Sequence, residues 1–144
     1  VIFSSLLRSY RKDVILYLDG YLRHLSAAQP NQQLVELSLH NMFRLMEQWK
    51  YDYSSLPRGS REFYDPGIDK EEAEEVYQVM DQVFAKVFPH CSGLSRQEAA
   101  EQIQALLRTA YDELKCGKFG ASTHTQSLIS FMKELKESLE STPS

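Results

Sequence analysis

The chain is short of residues that interrupt helices. It has only 6 Gly and 5 Pro in 144 residues, too few to punctuate the many short strands of a sandwich or barrel. Cysteine is scarcer still. Cys91 and Cys116 supply no disulfide framework and form no Cys-x-x-Cys pair, and two thiols in a chain this size suit a reducing compartment. No window reaches ~18 consecutive apolar residues, the usual signature of a membrane-spanning helix. The apolar opening Val1-Ile2-Phe3 is soon broken by Arg8, Arg11, Lys12 and Asp13, so the order of a secretory leader is missing. A chain that starts without Met and inside an apolar pattern is expected to be a segment of a longer polypeptide.

A dominant charge of one sign is also missing. The net charge is -4. Residues 1–61 hold 8 basic against 5 acidic residues, and residues 62–144 hold 8 against 15. A first half at +3 is far from the dense basic footprint of a nucleic-acid-binding domain. The hydrophobic fraction of 42% and charged fraction of 25% are those of an ordinary globular chain, and this length can bury one core. A single domain over 1–144 is expected.

What the chain does have is helical periodicity. Phe3, Leu7, Tyr10, Val14, Tyr17 and Tyr21 recur at steps of four and three, the spacing of one helix face. Ile15, Leu16, Leu18 and Leu22 broaden that face, so this helix, over about 3–28, is expected to be contacted on two sides. Gly20 inside it marks a break, a kink or a close crossing. A second helix, over about 32–51, carries Val35, Leu39, Met42, Met46 and Trp49. The stretch 54–68 follows, with Pro57, Gly59, Pro66 and Gly67. Its length of about 15 residues exceeds the usual connection of about 4–6, and it is expected to be a long internal loop.

Three further helices announce their starts. Asp69-Lys70-Glu71-Glu72, Ser95-Arg96-Gln97-Glu98 and Thr123-His124-Thr125-Gln126 each place an acceptor at a cap and an acid or amide three residues later. Ala73, Val76, Met80 and Val83 form the third stripe, which stops at Pro89. Ala99, Ile103, Leu107 and Ala110 form the fourth, and Leu128, Met132, Leu135 and Leu139 the fifth. The fold class is therefore all-α, about five helices in an antiparallel helical bundle. The alternative is a slice of an irregular helical-repeat array.

Assembled chemistry is hard to find. His90, Cys91, Cys116 and His124 have donors suited to zinc, but adjacent His90 and Cys91 cannot easily aim at one ion. The stretch 117–123 has Gly and Lys, yet a helix precedes it where a phosphate-binding loop needs a strand, and Phe119 stands where Ser or Thr is required. A helix C-cap is the simpler reading there. The acids from Asp69 to Glu75 complement a helix dipole, and the basic residues Arg8, Arg11, Lys12 and Arg23 read as a solvated edge. Gly-x-Ser-x-Gly is absent. No catalytic, metal or cofactor residue is assigned.

The remaining signal is aromatic. Phe63 and Tyr64 sit with Arg58 and Arg61 in the 54–68 stretch, and Arg with large aromatics anchors protein interfaces. The bland alternative has Phe63 and Tyr64 stapling the stretch back onto the bundle. The expected function is a non-enzymatic protein–protein interaction domain of a larger scaffold or regulator. Its location is expected to be intracellular, the cytoplasm ahead of the nucleus. It would bind a partner helix or peptide through helices one and two with Arg58, Arg61, Phe63 and Tyr64, and homodimerisation is compatible. The alternative is a small helical enzyme or a domain carrying a cofactor or metal.

Overall fold

The structure is a computed structural model and describes residues 9–26, 31–51, 69–118 and 122–141. It contains five α-helices: α1 (Tyr10–Ser26), α2 (Gln32–Tyr51), α3 (Lys70–Val87), α4 (Arg96–Lys115) and α5 (Thr123–Ser141). A single 3-10 turn, Pro89–Cys91, follows α3. No strand occurs among the described residues.

The helix ends follow from local chemistry. Ser95 and Glu98 form the reciprocal capping box at the start of α4. At α3, Asp69 accepts from the Glu71 amide, but Glu72 does not reach back to close a box. Its carboxylate crosses to α1, accepting from Ser9 Oγ at 2.7 Å and from the Arg11 amide at 2.9 Å. One acid of α3 thus satisfies the amino end of another helix. At α5 the cap lies one residue earlier than the sequence pattern suggests. Ser122 Oγ accepts from the Thr125 amide at 3.2 Å, and Thr123 is already helical.

The carboxyl end of α4 closes as a Schellman motif. Gly117 donates to the Leu114 carbonyl, Lys118 donates to the Glu113 carbonyl, and Gly117 has φ +72°. Gly20 neither breaks α1 nor marks a close crossing, because a Cβ added there meets nothing within 4 Å.

Packing joins helices that are distant in sequence. α2 lies antiparallel on α4, as Lys50 with Glu101, Glu47 with Gln104 and Phe43 with Arg108 show by their falling partner numbers. α5 packs on α1, α3 and α4. Contact between the first and last helices closes the arrangement into a bundle, where an open stack of hairpins would keep them apart. Although α3 and α4 are joined by a short turn, α3 packs chiefly on α5 and α1 while α4 packs on α2 and α5.

The centre is filled by Leu18, Tyr21, Met42, Met46, Trp49, Tyr77, Met80, Ile103, Leu128, Phe131, Met132 and Leu135, all essentially inaccessible. Full burial of each large apolar side chain contributes roughly 1.5–3 kcal/mol before the entropy of ordering it. On α1 the buried line runs Tyr10, Val14, Leu18, Tyr21. Tyr17, which fits the four-and-three stepping equally well, is exposed. Arg11 also departs from a solvated edge: its side chain is largely buried against α3, 3.5 Å from Glu75.

Candidate functional site

Two places on α2 gather polar side chains, and they differ in what those side chains do. At the carboxyl end, the Trp49 indole N–H donates to Asp81 Oδ1 at 2.8 Å. Arg96, at the start of α4, donates to both oxygens of the same carboxylate at 3.0 and 2.6 Å, and to Glu74 at 3.3 Å. Its guanidinium also lies 5.8 Å from the Tyr77 ring centroid. Hydrogen bonding to Asp81 holds the Arg96 guanidinium well above its ordinary pKa, with burial opposing and Glu74 adding. The Trp49 indole N–H and the Arg96 Nε and Nη2 groups all have acceptors within the chain. The arrangement clasps α2, α3 and α4 together, with a cavity of about 230 Å³ beside it that also touches Cys91.

The amino-terminal half of α2 is different. Together with α4 it forms a groove of about 530 Å³. The floor is apolar, made by buried Leu39 and Leu107 and half-buried Phe43. The rims carry Glu36 and His40 from α2, and Arg108, Tyr111 and Asp112 from α4. Their positions follow from helical spacing: 36, 39, 40 and 43 share one face of α2, and 107, 108, 111 and 112 share one face of α4. The antiparallel pairing sets the two faces opposite each other.

The groove's charges are arranged but not consumed. Arg108 lies over the Phe43 ring, 5.3 Å from its centroid. Lys115 Nζ is 4.8 Å from the Tyr111 ring centroid. Hydrogen bonding to Tyr111, with smaller attraction from Glu36 and Asp112, holds that ammonium above its ordinary pKa. Among the described residues, no ion pair engages Glu36, Arg108 or Asp112, and no hydrogen bond joins His40 to a carboxylate. Exposed apolar side chains lie close by in sequence, Leu34 and Leu37 on α2, with Leu37 55% exposed. An apolar floor whose rim carries charges of both signs outside any ion pair can hold another surface.

The other sequence candidates are scattered. His90 and Cys91 lie in the 3-10 turn before α4, Cys116 caps the far end of α4, and His124 is the second residue of α5. The 20 residues of α4 separate the two thiols by roughly 30 Å, and no group of three potential metal ligands forms among the described residues. Residues 117 and 118 form the α4 cap described above, and 119–121 of that stretch lie outside the described residues. Arg58, Arg61, Phe63 and Tyr64, with the whole 54–68 stretch, lie outside the described residues. No described helix is long and apolar enough to cross a membrane.

Both the groove and the clasp escape sequence reasoning. The groove exists only because α2 pairs with α4, and Asp81 stands 32 residues from Trp49 and 15 from Arg96. The one available signal was the apolar excess on α2, where Leu34 and Leu37 exceed what a single buried stripe needs. No family model, no curated protein and no solved structure matches this chain.

Proposed function

We propose that this chain is a non-enzymatic protein-interaction domain of a larger intracellular scaffold or regulatory protein, and that the α2–α4 groove receives its partner. One observation carries the reading. Arg11, Lys50, Lys86, Arg96 and Lys136 bridge to acids on other helices, whereas Glu36, Arg108 and Asp112 form no ion pair among the described residues and, unlike other unbridged charges such as Lys12 and Lys133, rim an apolar floor. A helix is the natural occupant. Two antiparallel helices present a trough into which a third lays a ridge of side chains, and spaced apolar residues displace water from the floor. From Glu36 to Phe43 the trough spans roughly 10 Å, two helical turns, which suits two apolar anchors at i and i+4 or i+7. Arg58, Arg61, Phe63 and Tyr64 are retained in the proposal as a second contact.

Affinity capture from cell extract, read by mass spectrometry, tests this with the full-length protein. Tyr111→Ala combined with Arg108→Asp is expected to deplete specific partners at least about tenfold while leaving the helical circular dichroism signal intact. Arg61→Ala with Tyr64→Ala tests the second contact separately. A capture profile indifferent to the groove substitutions would remove the groove from the proposal.

A further inference from the structure

The groove's charges have an order along its length. The pairing of Lys50 with Glu101 and Glu47 with Gln104 sets Arg108 level with Phe43, over whose ring it lies. The same register sets Asp112 level with Leu39, one turn nearer the start of α2, and Glu36 lies at that end too. Net negative charge therefore gathers at one end of the trough, where Lys115 offsets part of that of Glu36 and Asp112, and the Arg108 base lies at the other, roughly 6 Å from Asp112 along α4. Arg108, Asp112 and Glu36 are free of ion pairs among the described residues, and Arg108, Tyr111 and Asp112 are all exposed.

Resting on the groove as a protein-binding surface, we propose that its α4 rim docks on the same rim of a second copy of this chain, antiparallel, about a two-fold axis that passes over the rim between Arg108 and Asp112. Reversing one copy against the other sets Arg108 against Asp112 of the partner subunit. Two-fold symmetry then forms the same contact a second time. Docking the copies the same way round would set base against base and acid against acid, so the charge order selects one orientation. Tyr111 and His40 lie near the axis, and Leu37, one turn before His40, adds apolar surface at the edge. The exposed apolar area is small beside the roughly 800 Å² per partner of a stable interface. The dimer is accordingly weak, with a dissociation constant on the order of 100 µM, and it weakens with added salt.

Sedimentation of the purified whole chain from about 5 to about 500 µM reads this directly. The wild type is expected to move from monomer toward dimer across that range. Arg108→Asp and Asp112→Arg should each weaken association by about tenfold or more, with the circular dichroism spectrum unchanged. An equimolar mixture of the two variants should recover association, because a doubly acidic face then meets a doubly basic one. A wild type that stays monomeric throughout, a dimer indifferent to both reversals, or a mixture no better than its components would each overturn self-association. A monomeric wild type whose groove substitutions still deplete captured partners overturns the dimer alone and leaves the groove as a surface for other proteins.

Discussion

The two ends of α2 use the same kinds of side chain to opposite effect. At the carboxyl end an aromatic, two acids and an arginine close on one another, and Asp81 accepts from Trp49 and twice from Arg96. Toward the amino end two aromatics, two acids and an arginine line an open trough, and the acids and the arginine stay out of ion pairs. The physical difference is distance to a third helix. α3 brings Asp81 and Glu74 onto the first cluster, where desolvation makes unmatched polar groups costly. Nothing among the described residues covers the second, so water can solvate its charges. Charge that is spent internally builds structure, and charge left on a rim is available for recognition.

Substitutions at the two ends should therefore separate stability from binding. Trp49→Ala removes a wholly buried indole and leaves a cavity, and should cost about 3–5 kcal/mol of unfolding free energy in urea titration. If it costs under about 1 kcal/mol, the clasp is not central to the fold. A matched pair of acid deletions sharpens the contrast. Asp81→Ala strips Arg96 and Trp49 of their shared acceptor and should cost about 2 kcal/mol. Asp112→Ala should stay within about 0.5 kcal/mol of wild type, as surface changes usually do. Equal costs would erase the distinction between the two ends. The smallest expected effect lies away from both. Gly20→Ala, in a helical position with open space at its Cβ, should raise stability by about 0.5–1 kcal/mol in the same titration.

Much of the fold was legible in the order of residues. The span of α2, the start of α3 after Asp69, the capping box at Ser95 and the closure near Gly117 all depend on groups within a few positions of each other. The α5 cap slipped by one residue for a local reason, Ser122 capping in place of Thr123; elsewhere a remote group had intervened. Glu72 resembles the second half of a capping box, yet α1 offers it Ser9 Oγ and the Arg11 amide. Tyr17 fits the apolar stepping of α1 as well as Leu18 does, and only the position of the neighbouring helices decides which of them is buried. Arg11 reads as a solvated residue until Glu75 is placed beside it. The groove was not legible at all, since Glu36 and Asp112 are far apart in sequence.

Helix content, helix ends and most of the buried stripes were thus settled by short-range chemistry: hydrogen bonds to the first turn, a left-handed glycine, and side chains recurring every three or four residues. Which helices pair, and hence where a trough opens and which charges go unmatched, was left to the tertiary structure. That division has a physical cause. Local bonds act within a turn or two of the chain, whereas burial rewards any arrangement that covers the apolar faces, and the choice among such arrangements is made only when all five helices pack at once.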